Sequence, residues 1–242
     1  MRLSILLLLA LLLTSCAKQK PDFTNPLQNR GTLLGTSLKK RPVRALTLGN
    51  GPDVVLIMAT IHGNENAGTP LTMKLIQHVE NNPEILQGRR IIFLPVTNPD
   101  GYHHNNRYNA RMVDLNRNFD APNRRERKTS GIQPLSEPES RIVRDLILQE
   151  KPNRIISMHE PLDLIDWDGP GEDLAKHMAK HTTLKAERLG SRPGSLGSWA
   201  GETLNIPIIT LEFPENSGTR PPDDLWKDYG PALIAAITYA KE

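Results

Sequence analysis

Four short runs of continuous apolar residues punctuate the chain: Asp53-Val54-Val55-Leu56-Ile57-Met58-Ala59, Ile91-Ile92-Phe93-Leu94-Pro95-Val96, Arg154-Ile155-Ile156-Ser157-Met158 and Ile206-Pro207-Ile208-Ile209-Thr210-Leu211. Each is rich in β-branched residues and too short for a typical helix, the pattern of a strand buried on both faces. Between the runs the apolar positions fall at helical spacing. Leu71, Leu75, Ile76 and Val79 mark one helix, and further helices are predicted over Glu137–Glu150, Leu174–Leu189 and Pro231–Ala240. Strands alternating with helices predict an α/β fold with a largely parallel sheet covered on both sides. There is no internal repeat, and the basic stretch from Asp120 to Gln133, with Arg124, Arg125, Arg127 and Lys128, reads as a solvated loop.

The amino-terminal pattern is different. Ile5 to Leu13 is unbroken apolar sequence behind Met1 and Arg2, far short of the roughly 20 residues that cross a bilayer as a helix, and it reads as the core of a signal peptide. Leu13-Thr14-Ser15-Cys16 resembles a bacterial lipobox, which implies cleavage before Cys16 and acylation of its thiol; a plain secretory signal is the alternative. Residues 1–15 are thus expected to be a lipoprotein signal peptide, 16–30 a polar tether and 31–242 the catalytic domain. Ala17 stands where an Asp would resemble an inner-membrane retention signal. The implied location is the periplasm of a Gram-negative bacterium, with a lipid anchor in the outer membrane.

With 38% hydrophobic residues over 242, the chain is too apolar for disorder and long enough for one substantial core. A formal charge of only +3 and 5% aromatic residues provide neither the field nor the stacking surface of a nucleic-acid module. The single cysteine excludes an internal disulfide and any cysteine-rich metal site. A metal here must be held by histidine and carboxylate.

His62-Gly63-Asn64-Glu65 follows the first strand directly and His159-Glu160 follows the third. Carboxyl ends of strands are where an open α/β sheet gathers its ligands. His62, Glu65 and His159 offer the N and O donors that zinc accepts, and three protein ligands leave a fourth position for water. Hydrolysis also needs a proton acceptor, and Glu212, ending the fourth strand among apolar neighbours, is the candidate general base. Glu160 is a rival whose side chain should diverge from that of its neighbour His159. Arg107 and, in Asp114-Leu115-Asn116-Arg117-Asn118-Phe119, Arg117 suit a developing oxyanion and a substrate carboxylate.

In order along the chain, HGNE, NPDG (Asn98–Gly101), RxN (Arg107–Asn109), DLNRNF, a strand-terminal histidine and TLEFP (Thr210–Pro214) resemble the zinc carboxypeptidase family, and within it the murein peptide amidase branch. The resemblance covers about residues 35–214. It implies a twisted mixed sheet between helices, one zinc per chain on His62, Glu65 and His159, Glu212 as catalytic carboxylate and Arg107 polarising the scissile carbonyl. It also implies that Asn116 and Arg117 clamp the free carboxylate of the leaving residue. The expected substrate is a peptidoglycan peptide, cut at the amide between γ-D-glutamate and meso-diaminopimelate. Digestive-type members carry a tyrosine before the catalytic glutamate, whereas none lies between His159 and Glu212 here; Trp199 or a backbone group is the expected replacement.

Other polar residues have quieter readings. His177 and His181 stand at i, i+4 without the glutamate of an HExxH site and read as a solvated face. His103 and His104 are expected near the cleft, and Asp100 and Asp114 are expected to hold loops. Two rival functions stand beside the carboxypeptidase. A small-molecule deacylase of the succinylglutamate desuccinylase or aspartoacylase kind shares HGNE but typically lacks NPDG and TLEFP, and a non-catalytic peptidoglycan-binding lipoprotein does not account for the complete ligand set.

Overall fold

The computed structural model describes residues 25–240. The expected signal peptide and Cys16 lie outside the described residues. Strand β1 (Thr32–Thr36) and β2 (Pro42–Gly49) open the domain, followed by β3 (Asp53–Ala59), α1 (Gly68–Asn81), β4 (Arg89–Leu94), α2 (Pro99–His104), α3 (Pro138–Glu150), β5 (Arg154–His159), β6 (Leu162–Asp168), α4 (Glu172–Ala179), β7 (Lys185–Ala186), β8 (Ile208–Pro214) and α5 (Pro222–Thr238). The eight strands form one mixed sheet in the order β1-β2-β4-β3-β5-β8-β6-β7. Its centre, β4-β3-β5-β8, is parallel, and β2 and β6 run antiparallel against it.

The parallel centre follows from the four apolar runs. Along β3 alternate side chains enter different cores: Val55, Ile57 and Ala59 pack with α1, α4 and α5, while Val54, Leu56 and Met58 pack with α3 and the segments around Phe119 and Trp199. Both faces are therefore covered, as continuous apolar strands require. Helix α5 is tied to the sheet by Arg154, which pairs with Asp53 at 2.8 and 2.9 Å and donates to the carbonyls of Ala236 and Ile237.

Several boundaries depart from expectation. The helix predicted over Leu174–Leu189 ends at Ala179, and the chain then adds the edge strand β7. The last helix begins at Pro222, nine residues before Pro231, which sits inside it. Strands β1, β2 and β6 were not anticipated. The domain also begins before residue 31: Leu27 is fully buried in the core beneath α1, and the Asn25 side chain donates to the Pro42 carbonyl.

Candidate active site

Two motif loops are locked together beside the carboxyl end of β3. A Cβ on Gly63 would fall 2.0 Å from the Gly101 carbonyl carbon, so HGNE and NPDG approach each other where only glycine fits. Asn98 caps α2 by accepting from Gly101 N–H at 2.9 Å, and its amide reaches the carbonyls of Ile61 and Arg107. One side chain thus sets the relative position of the His62 loop and the Arg107 loop.

The structure brings His62, Glu65 and His159 together. Glu65 Oε2 stands 2.8 Å from Nδ1 of each histidine, and the two Nδ1 atoms are 3.2 Å apart. All three side chains are buried. A tetrahedral zinc with donors at about 2.0–2.1 Å needs donor separations slightly above these, so the set fits the ion after a small expansion. The far ring nitrogens are held as well: His62 Nε2 faces Asp114 Oδ1 at 3.0 Å and His159 Nε2 faces Ser157 Oγ at 3.1 Å. Such contacts orient ligating imidazoles with Nδ1 toward the metal. Burial pushes the Glu65 carboxyl up, yet the charge of His62 and the hydrogen bonds of both histidines hold it well below the usual carboxylate range.

Glu212 is paired in register with His159 on the adjacent parallel strand, and on its other side with Leu164 of β6. It is 9% exposed. Burial raises its carboxyl above the ordinary range, outweighing the opposing charge of His159, which suits a group that must take up a proton. The rival Glu160 is committed elsewhere: its carboxylate accepts from the N–H groups of Ala67 and Gly218, anchoring the start of α1 and a facing loop.

Arg107 binds Glu65 Oε1 at 2.7 Å and grips Asp114 Oδ2 through Nε and Nη2 at 3.1 and 3.0 Å. Asn116 uses its side-chain oxygen to accept from Leu196 N–H at 2.8 Å. Arg117 forms no ion pair among the described residues. Burial pushes its guanidinium down, as do the like charges of Arg107, Arg192 and Arg127, against the pull of Asp114. These groups share a cleft of about 410 Å³ with the zinc donors and Glu212.

Three expectations change. Trp199 does not reach this cleft; it is buried, stacked on Phe119 with ring centroids 5.7 Å apart. His103 and His104 line a separate cavity against α1. Arg127, expected in a solvated loop, is exposed but lines the cleft. Asp114 does more than hold a loop. Its carboxylate caps the turn at Asn116, as expected, but the same group holds a ligand imidazole and the Arg107 guanidinium. Asp166 and Asp168 of β6 line the cleft too, and their alternation in LDLIDWD is the signal that was available for them.

Comparison with known proteins gives the family and the fold. The zinc carboxypeptidase family model matches residues 12–167. Murein peptide amidase A of Escherichia coli (strain K12) is 33% identical over 201 residues, spanning 76% of this chain and 78% of the relative. The crystal structure of a murein-tripeptide amidase from Escherichia coli O157 superposes with a TM-score of 0.68 at 27% identity, covering 87% of this chain and 93% of that one. Bovine thrombin-activatable fibrinolysis inhibitor, at 18% identity, shares the fold with a TM-score of 0.73, covering 85% of this chain and 87% of its own.

Proposed function

This chain belongs to the zinc carboxypeptidase family, and from that premise we propose that it is a murein peptide amidase, releasing the carboxyl-terminal residue of peptidoglycan-derived peptides. The bond cut is the amide between γ-D-glutamate and meso-diaminopimelate. The observation that carries this reading is the single cleft in which His62, Glu65 and His159, the base Glu212 and the guanidinium of Arg117 meet, supported by the names of the relatives.

His62, Glu65 and His159 would hold the zinc ion, which when bound would supply a Lewis acid and acidify water toward neutral pH. Glu212 accepts a proton from the attacking water and delivers it to the leaving amine, a transfer its raised proton affinity favours. Arg107 directs its guanidinium at the charge that develops on the scissile oxygen. Arg117, with the Asn116 amide, binds the α-carboxylate of the leaving residue and so confines cleavage to the chain end. The Asp114 carboxylate keeps Arg107 and His62 in mutual alignment.

The proposal extends to place. The Leu13-Thr14-Ser15-Cys16 segment supports acylation at Cys16 and a lipid-anchored enzyme facing the periplasm, where peptidoglycan peptides are abundant. Mass spectrometry of detergent-extracted protein should find a lipid-modified amino-terminal cysteine, and an unmodified start elsewhere would reject the anchor.

The activity is tested by offering the zinc-loaded protein L-Ala-γ-D-Glu-meso-diaminopimelate, its α-linked analogue and N-succinylglutamate. Release of diaminopimelate from the first is expected. Preferential hydrolysis of succinylglutamate would transfer the protein to the deacylase class.

A further inference from the structure

Two buried carboxylates share the sheet face of Glu212 and take no part in the chemistry above. Register fixes their depth. Glu212 pairs with Leu164, Thr210 with Asp166, and Ile208 with Asp168, so the two aspartates lie one and two pleats below the catalytic level, about 7 and about 14 Å along the strands. Asp166 is 8% exposed and Asp168 4%. Asp166 Oδ1 accepts from the N–H groups of Trp167 and Leu189, both at 2.8 Å, and Asp168 Oδ1 accepts from Ser191 Oγ. Among the described residues neither Oδ2 accepts a hydrogen bond and neither side chain forms an ion pair, yet both line the cleft.

Space is reserved for this acidic floor. A Cβ on Gly197 would lie 1.8 Å from Asp168 Oδ2, and one on Gly201 would lie 2.6 Å from Asp168 Cβ. Arg117, Arg127 and Arg192 line the same cleft and are also without ion pairs among the described residues. Arg192 is within electrostatic reach of both Arg117 and Asp166. Buried charge without a counter-charge is costly, which for Asp166 and Asp168 points to a cationic ligand group at the floor, while the half-buried Arg117 and the exposed Arg192 can meet anionic groups of the same ligand.

We propose that Asp166, backed by Asp168, receives a side-chain ammonium of the leaving residue, and that Arg192 receives a carboxylate borne on the same terminal carbon. The cleft then selects a leaving residue whose side chain ends in an amino-acid head group. A four-carbon stem spans about 6 Å from its α-carbon, which matches the single pleat between the catalytic level and Asp166. This inference rests on the proposed amidase reading for which residue departs, but not for which bond breaks.

Binding of the free leaving residue separates the two. Calorimetry on zinc-loaded protein should show meso-diaminopimelate binding more tightly than L-lysine, and L-lysine more tightly than L-norleucine. Asp166→Asn, whose amide oxygen keeps the Trp167 and Leu189 bonds, should weaken both amines at least tenfold and leave norleucine unchanged. Arg192→Ala, an exposed substitution, should erase the difference between diaminopimelate and lysine alone. The inference is overturned if the preference for amines survives in Asp166→Asn and in Asp166→Asn/Asp168→Asn, or if norleucine binds the unmodified protein as well as diaminopimelate. Should the Asp166-dependent preference hold while no γ-D-glutamyl peptide is cleaved, the cleft assignment stands and the amidase reading falls.

Discussion

Asp114 Oδ1 stands 3.0 Å from Nε2 of His62, while its other oxygen holds Arg107. One carboxylate therefore couples the orientation of His62 to that of Arg107. Burial alone would push the Asp114 carboxyl up, but His62, Arg107 and Arg117 hold it below the usual carboxylate range. Asp114→Asn should weaken zinc binding by about 10- to 100-fold, the usual effect of losing a group that orients a ligand. Competition with a chelating dye measures it, and unchanged affinity would remove Asp114 from the metal site.

Glu212→Gln should retain zinc and lose about 10² to 10⁴ in turnover, the range for removal of a general base. Metal stoichiometry and kcat on the tripeptide test it together. Near-normal turnover would return the role to another carboxylate.

Arg117→Ala should raise KM for tripeptide with a free terminal carboxylate by about 10- to 150-fold, the equivalent of a lost charge-assisted hydrogen bond of about 1.5–3 kcal/mol. Against substrate amidated at that position the variant and the unmodified enzyme should perform alike. A uniform loss on both substrates would point to a collapsed loop rather than a missing clamp.

Glu139, fully buried at the start of α3, supplies a pH dependence remote from the cleft. Its Oε2 accepts from Asn109 at 3.4 Å, its Oε1 has no hydrogen-bond partner, and burial pushes its carboxyl up to about 7. A carboxyl with a higher pKa folded than unfolded favours the fold in its neutral form. Its stabilising contribution is complete below the ordinary glutamate range and is lost as pH rises through about 7. Glu139→Gln should therefore melt near the unmodified protein at pH 5 and distinctly higher at pH 8, by at most about 3 kcal/mol of stability. Parallel melting curves at both pH values would refute it.

The placement of His62, Glu65, His159 and Glu212 was legible in the sequence because they follow or end apolar runs that only a buried strand explains. What escaped was polar sequence doing structural work. Asp163, Asp166 and Asp168 interrupt the apolar pattern of β6, so the strand was passed over although Ile165 and Trp167 face the core between them. Pro231 resembles a helix start, yet α5 packs Leu225 and Tyr229 into the core before it and Leu233 after it. Asp114 looked like a loop-holding aspartate because its cap on Asn116 is local, whereas His62 is 52 residues away. Spacing along a chain carries no trace of such a contact.

Ser157, His159, Thr210, Glu212, Asp166 and Asp168 occupy alternate positions on three neighbouring strands, all on one face. A sheet has a reading frame of two. Insertion of one residue in β6 or β8 would turn every downstream group on that strand toward α1 and α5, whereas insertion of two would keep the facing and displace the groups along the strand. Substrate length on this scaffold is therefore measured in rungs of about 7 Å. Neutralising Asp166, which leaves Asp168 one rung deeper as the floor charge, is a shorter route to a cleft that accepts a longer side chain than reshaping the walls.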